Sequence, residues 1–342
     1  MYGSDKVPDD SERTAFRRAE KQYKLYYESN SKKKKQPKHV DLSDVLDFKN
    51  ILESSNNNGE IPPGIVALSS NFGLPVFRLE NRPGFYFIPE ALSIEEQCRW
   101  IKESLISFPQ PPNRTNHNAF YGRIHDLFSA AKERKFLESS KDDDDDTKEW
   151  KLVEEDQVSK TCKSISASVL LRKLRWSTLG LQFDWSKRNY DVSLAHNKIP
   201  DALCELAKRM ASPAMPNGEE FKPEAAIVNY FGLGDTLGGH LDDMEKDWSR
   251  PIVSMSLGCK AIFLLGGKSR EDPPLAMFLR SGDVVLMAGE ARECYHGVPR
   301  IFTDKENADI SHLELQFSQE EDCCFLEYIQ TSRININIRQ VF

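Results

Sequence analysis

The chain has 342 residues, a formal net charge of -7, 39% hydrophobic residues and seven cysteines. That length suits two domains, or one catalytic domain with extensions, and the acidic balance argues against a general polyanion binder unless positive charge is gathered locally. No apolar run approaches the roughly 20 residues of a membrane span, no signal or transit peptide is read at the N-terminus, and the scattered cysteines fit a reducing compartment better than a disulfide or zinc framework.

In chain order, residues 1–75 read as an N-terminal extension, partly disordered, ahead of a catalytic domain over residues 76–342. Residues 11–29 carry an amphipathic helical pattern through Phe16, Tyr23, Leu25 and Tyr26, with Asp9, Asp10 and Ser11 as candidate caps. Residues 41–52 repeat it with Val45, Leu46, Phe48 and Ile51. Four lysines at 32–35, with Lys38 beyond, form a basic cluster: a nuclear import signal, a phosphate-binding arm, or a solvated tract. The aspartates at 142–146 read as another solvated run.

Catalytic folding begins near Val76 and Phe77, then residues 85–89. Ser93 and Glu96 make a capping box for a helix over 93–107, with Ile94, Cys98, Ile101 and Leu105 on one face. Prolines at 109, 111 and 112 stop it. Residues 113–157 are polar and irregular, with a helical hint over 124–137, a place for a substrate lid. A second helix covers 200–210, with Pro200 at its start. Beyond 225 the rhythm changes to short strands at 225–231, 252–257, 261–265, 275–279, 283–287 and 333–341. Gly266-Gly267 and Ser281-Gly282-Asp283 supply turns between them. This is an α+β chain whose core is a double-stranded β-helix, or jelly roll, with flanking helices rather than a parallel βαβ fold. Residues 302–325 form an acidic insertion with no clear element.

Two patterns carry chemistry. His240-Leu241-Asp242, with His296 further along, offers two imidazoles and one carboxylate, the facial set that holds Fe(II) with open positions. On a strand, His240 and Asp242 leave the same side of the backbone and the third ligand arrives from a partner strand. The helical His-Glu-x-x-His of zinc hydrolases is absent. His39, His117, His125, His196 and His312 have no companion motif and read as surface or packed residues. The second pattern is Arg333-Ile334-Asn335-Ile336-Asn337-Ile338-Arg339, polar on one face and isoleucine on the other. It is either an edge strand with its polar face in water or a barrel strand whose arginines meet an anion. Asn229, inside the apolar run Ala226-Ile227-Val228, is either a satisfied core amide or a ligand contact.

Taken together, Asn229-Tyr230-Phe231, His240-x-Asp242, His296 and Arg333-x-Asn335-x-x-x-Arg339, with Leu264-Leu265-Gly266-Gly267 and Ser281-Gly282-Asp283, resemble the AlkB-type Fe(II)/2-oxoglutarate dioxygenases. Leu174-Arg175-Trp176-Ser177-Thr178-Leu179-Gly180 and the final Arg339-Gln340-Val341 are similar to the AlkB homologue 1 branch. Phe231 departs from the family's usual Tyr, and Asn337 from its usual Thr. The resemblance implies Fe(II) on His240, Asp242 and His296 as catalytic and metal residues. It implies 2-oxoglutarate as co-substrate on Asn229, Tyr230, Phe231, Arg333, Asn335 and Arg339. Arg333 would meet the distal carboxylate and Arg339 would support the iron end, roles the sequence leaves exchangeable. Trp150, Leu181, Gln182, Phe183, Asp184 and Tyr190 are the implied substrate contacts, although Phe183 and Trp185 also suit the core of an outer strand. The implied activity is oxidative N-demethylation of N6-methyladenine in DNA, or of N1-methyladenine or 3-methylcytosine in RNA or DNA. The partner would be a methylated strand, single-stranded or with its base flipped out. A monomer of nucleus and cytoplasm, off the membrane, completes the expectation. The alternatives are a protein-directed 2-oxoglutarate hydroxylase or demethylase, and a non-catalytic nucleic-acid-binding module.

Overall fold

Alternating side chains build two facing antiparallel sheets. The computed structural model describes residues 13–25, 39–139, 149–184, 187–216 and 218–342. The lysines at 32–35 and 38, the aspartates at 142–146, Asp9, Asp10, Ser11, Tyr26 and Trp185 lie outside the described residues. The strands are β1 (Ile65–Ser69), β2 (Pro75–Leu79), β3 (Phe85–Ile88), β4 (Phe136–Ser139), β5 (Trp150–Val153), β6 (Ser164–Ser166), β7 (Trp176–Gly180), β8 (Gln182–Asp184) and β9 (Asn189–Asp191). They continue as β10 (Ala225–Phe231), β11 (Leu237–His240), β12 (Ile252–Gly258), β13 (Ala261–Leu265), β14 (Leu275–Leu279), β15 (Val284–Met287), β16 (His296–Ile301) and β17 (Arg333–Arg339). The helices are α1 (Ala15–Tyr23), α2 (Phe48–Asn56), α3 (Ile94–Ile106), α4 (Asn118–Tyr121), α5 (Leu127–Lys132), α6 (Ala167–Arg172), α7 (Asp201–Ala211), α8 (Ser311–Glu314) and α9 (Cys323–Ile329).

One sheet has the order β1-β2-β3-β15-β12-β17-β10-β7, and a smaller one runs β11-β16-β13-β14. β17 is central: β10 pairs with one side and β12 with the other. The edge-strand alternative therefore fails, because both rows of its backbone groups are already paired. Ile334, Ile336 and Ile338 are fully buried on the outer face, in one core with Trp100 and Ile101 of α3 and Leu203 and Met210 of α7. The polar face, Arg333, Asn335 and Asn337, lines the interior toward the smaller sheet.

The capping box of α3 forms as the sequence predicts: Ser93 and Glu96 bond each other's backbone N–H. Its buried face, however, is Gln97, Trp100, Ile101, Ser104 and Leu105, and Ile94 is exposed. The wheel is turned because Gln97 donates to the Leu92 carbonyl and contacts His312.

The described N-terminal elements pack on the sheets. β1 is the edge of the large sheet. Phe48 of α2 stacks on Phe87 with ring centroids 4.0 Å apart. Arg280 clamps Asp47 with two bonds of 2.7 Å. These short helices have too few turns to persist alone, so their apolar faces form only where a core receives them. The cap of α1 is Thr14, within the described residues, rather than Asp9, Asp10 or Ser11. The insertion at 302–325 also folds: Leu313, Phe317 and Phe325 are buried, and Lys102 of α3 reaches Asp322 at 2.8 Å.

Candidate metal centre

β11 ends at His240, β16 begins at His296, and these two residues are opposite each other in antiparallel register. Their rings lie 4.3 Å apart. Each Nδ1 is 2.9 to 3.2 Å from the carbonyl two residues earlier, of Gly238 for His240 and Cys294 for His296. A carbonyl can only accept, so Nδ1 carries the proton and Nε2 keeps its lone pair, as a metal ligand requires. Asp242 lies beyond the end of β11, so the shared strand face expected from the His-x-Asp spacing is not what places it. Arg339 holds it: Nη2 donates to Asp242 Oδ2 at 3.1 Å. The carboxylate oxygens then sit 3.9 Å from His240 Nε2 and 3.7 Å from His296 Nε2. All three ligand atoms lie within 4.8 Å of one another. A shared ion with bonds of about 2.0–2.2 Å would draw them closer together.

The electrostatics suit a cation. Burial pushes the Asp242 carboxyl up, but the Arg339 guanidinium and the two histidines outweigh it and hold it well below the usual carboxylate range. Burial, then the neighbouring His296, lowers His240, which favours the neutral imidazole. Arg339 is tied at its other nitrogen to Glu245 Oε1 at 2.9 Å, where the Tyr190 hydroxyl also donates at 3.1 Å. Arg292 closes the network, with Nη2 2.5 Å from Glu245 Oε2 and 2.9 Å from the Asp242 carbonyl. The Glu245 side chain is completely buried and that of Arg292 nearly so. A buried charge without partners is costly, so each member of this chain of charges needs the next. Sequence reasoning missed Glu245 and Arg292. Their only signal is closeness to Asp242 and His296, which surface charges share.

At the other end of β17, Arg333 is 1% exposed. Its Nη2 donates to Ser256 Oγ at 3.0 Å, while Nε and Nη1 have no hydrogen-bond partner among the described residues. Burial, opposed by the charge of Asp283, pushes its pKa down to about 10. A guanidinium desolvated this far and left unpaired is completed by an anion with acceptor oxygens. The chemistry of this guanidinium fits the distal carboxylate of 2-oxoglutarate. The Arg333 guanidinium carbon lies 5.4 Å over the Phe231 ring. Asn335 is held by bonds to Ser254 Oγ at 2.9 Å and the Met255 carbonyl at 3.0 Å. Asn229 is the direct register partner of Asn335, on the same face. The space between triad and arginine is about 30 Å³ and is lined by His240, Asp242, His296, Arg333 and Asn335. The far larger cavity, about 490 Å³ under α5, α6 and α9, has none of these residues in its lining.

The remaining expected contacts fare differently. Tyr230 leaves the set: it points to the outer face, where its hydroxyl donates to the Ser104 carbonyl at 2.6 Å and meets Ser177 Oγ at 3.0 Å. Strand alternation puts it opposite to Asn229 and Phe231. Gln182 also leaves it. Fully buried, its oxygen accepts from Thr178 and its nitrogen donates to the Gly180 carbonyl at 2.9 Å. Phe183 is buried against Tyr190, with ring centroids 5.2 Å apart, which leaves no open face for a base. Leu181 packs on that cluster, and Asp184 pairs with Lys187 at 3.5 Å. Trp150 stands edge-on to Tyr121 in the small cluster around α5 and α6. Tyr190 reaches the metal ligands through Glu245 and Arg339. His117 is a packed histidine as expected, 3.0 Å from the Leu170 carbonyl.

The 2OG-Fe(II) oxygenase superfamily matches residues 84–339. The chain is 70% identical over 349 aligned residues to the Arabidopsis thaliana "DNA N(6)-methyladenine demethylase ALKBH1A", covering 100% of both chains. It is 33% identical over 281 residues to the Homo sapiens "Nucleic acid dioxygenase ALKBH1", covering 78% of this chain and 66% of that one. With the Schizosaccharomyces pombe "tRNA demethylase abh1" it shares 31% over 267 residues, 78% of this chain and 82% of that one.

Proposed function

Because the chain belongs to the 2OG-Fe(II) oxygenase superfamily, we propose that it is an oxidative demethylase of nucleic-acid bases, with N6-methyladenine in DNA as its first substrate and N1-methyladenine or 3-methylcytosine in RNA or DNA as the others. The observation that carries the reading is the pairing of a His-Asp-His cluster with a buried, half-satisfied Arg333 inside the same barrel. The choice of nucleic acid leans on the full-length similarity to a protein named for that activity.

In this reading His240, Asp242 and His296 hold Fe(II), and Arg333 binds the distal carboxylate of 2-oxoglutarate through its two unpaired nitrogens. When bound, the iron with 2-oxoglutarate and dioxygen supplies the oxidising power that hydroxylates an N-methyl group, which then leaves as formaldehyde. The chain's own residues do the rest. Arg339 keeps Asp242 ionised and aimed; the Gly238 and Cys294 carbonyls keep both histidines in the ligand tautomer; the isoleucine face of β17 fixes the polar face against the sheet. No side chain has to shuttle a proton for the oxidation. The base must leave its stack to reach so enclosed a centre, which favours single strands and unpaired sites. A monomer in nucleus and cytoplasm belongs to this proposal, and the lysines at 32–35 and 38 support its nuclear part. Among the described residues no helix is long and apolar enough to cross a membrane.

The test is a substrate panel. Succinate and formaldehyde are measured with N6-methyladenine in single- and double-stranded DNA, with N1-methyladenine and 3-methylcytosine in RNA, and with methyl-lysine peptides. Formaldehyde matched to methyl loss from a strand supports the proposal. Formaldehyde from peptides alone replaces it with the protein-directed alternative, and none from any substrate replaces it with a binding module.

A further inference from the structure

We propose that the exposed side of α1 is a docking strip for the phosphate backbone of a single nucleic-acid strand, beside the mouth of the metal centre; this rests on the demethylase reading. The chain as a whole is acidic, yet the stretch from 13 to 24 carries Arg13, Arg17, Arg18, Lys21 and Lys24 against one carboxylate, Glu20. That carboxylate faces inward. Glu20 is 7% exposed, accepts the Gly239 N–H at 2.6 Å and pairs with Arg17 at 2.6 Å. The outer side of α1 is therefore locally positive in a chain whose net charge is -7, the arrangement by which an acidic protein can gather a polyanion.

The strip is held in place. Phe16 is fully buried, seated where a Cβ on Gly239 would come within 2.5 Å of its ring and one on Gly266 within 2.9 Å. Only glycines admit the ring there. The Tyr23 hydroxyl donates to Asp44 at 2.6 Å at the other end of the helix. Phe16 N–H donates to the Arg270 carbonyl at 2.9 Å, and Arg270 returns a bond to the Gly239 carbonyl at 2.6 Å.

Position decides the ligand. Arg17, Lys21 and Lys24 follow helical spacing and, with Thr236, Gly238 and Pro299, line a groove of about 50 Å³ along β11. Among the described residues lining it, Glu20 is the one carboxylate. Gly238 precedes the ligand His240 by two residues, about 7 Å along a strand. From Arg17 to Lys24 the helix rises about 10 Å, long enough to run beside more than one phosphate of a strand. Lysines on flexible stems bind phosphates as point charges and read no sequence. A strand held along this groove would present its next base to the metal centre.

The experiment compares full-length wild type with Lys21→Gln/Lys24→Gln, with Lys21→Arg/Lys24→Arg, and with Lys208→Gln/Lys305→Gln, which removes equal charge outside the groove. Binding of a methylated single-stranded DNA is titrated across a salt series, and thermal unfolding of each protein checks folding. In Lys21→Gln/Lys24→Gln the slope of log affinity against log salt falls by about 1.4, and affinity near 0.15 M salt falls about tenfold. The arginine pair and the control pair keep the wild-type slope. An unchanged slope in the first variant overturns the proposal, and so does an equal fall in the control pair, which would reduce the effect to bulk charge. If binding tracks Lys21 and Lys24 but wild type releases no formaldehyde from any methylated strand, the demethylase reading falls and the docking strip stands.

Discussion

Arg333→Met separates ligand recognition from folding, because its two effects have opposite signs. Methionine keeps most of the stem's volume and removes the guanidinium. In the ligand-free protein that guanidinium is 1% exposed, with Ser256 as its hydrogen-bond partner. Burial pushes its pKa down from the ordinary guanidinium value to about 10, and at 1.36 kcal/mol per decade that is about 3 kcal/mol of burial cost. Removing it relieves this cost and loses one charged hydrogen bond, worth about 1.5–3 kcal/mol. The two nearly cancel, so the ligand-free midpoint of unfolding should stay within a few degrees of wild type or rise. Binding behaves otherwise. The two unpaired nitrogens are the carboxylate's partners, and losing even one charged bond of about 1.5–3 kcal/mol weakens 2-oxoglutarate by about 10- to 150-fold. The assay is anaerobic titration of 2-oxoglutarate into Mn(II)-substituted protein, read by calorimetry, beside thermal unfolding with and without the ligand. Wild type should gain stability with ligand by mass action, and the variant should gain almost none at the same concentration. Unchanged 2-oxoglutarate affinity would move the carboxylate elsewhere, Arg339 first. A steep loss of ligand-free stability with affinity intact would make Arg333 a structural residue.

Tyr230→Phe should leave the 2-oxoglutarate dependence of turnover untouched and lower stability by about 1 kcal/mol, since its hydroxyl bonds Ser104 and Ser177 outside the barrel; a raised KM for 2-oxoglutarate would return it to the site. Phe16→Ala should cost about 3–5 kcal/mol and, by freeing the strand that carries His240, also weaken Mn(II) binding to the ligand-free protein; full metal affinity in a protein that still folds would uncouple α1 from the centre. Asp283 is buried and its carboxyl is pushed up to about 7 by burial, against N–H bonds from Arg280 and Glu90. With the folded pKa above the unfolded one, its contribution is fully present below about pH 4 and is lost as pH rises to about 7, by up to about 4 kcal/mol. Urea unfolding at pH 5 and pH 8 should therefore show a smaller pH difference in Asp283→Asn than in wild type, and parallel changes in both proteins would count against the shift.

Much of the centre was legible because its signals are local. Period-2 alternation is a property of the backbone, so the strands at 225–231, 261–265 and 275–279 match β10, β13 and β14 to the residue, and the capping box of α3 needs only four consecutive residues. The His-x-Asp spacing, the later His296 and the arginine-isoleucine alternation could likewise be picked out before any fold was known. The strands that carry two of the ligands were not. β11 is Leu-Gly-Gly-His and β16 contains a proline, so neither has strand propensity, and both exist because partner strands pair with them.

What the sequence determined by itself is which face of the alternating strands is polar and which residue types stand near the metal. Tertiary structure alone decided where those faces point. It made β17 central rather than an edge, turned Tyr230 away from the cavity, and buried Phe183 and Gln182. It placed Asp242 by Arg339 rather than by strand geometry, and it joined Glu245 and Arg292 to the centre across gaps of up to 94 residues. It also folded Phe16 and Phe48 into the catalytic body. The reason is common to all of these: propensity and periodicity act over a few residues, whereas burial of a charge or a ring is settled by partners distant in the chain, and those are known only once the sheets have closed on each other.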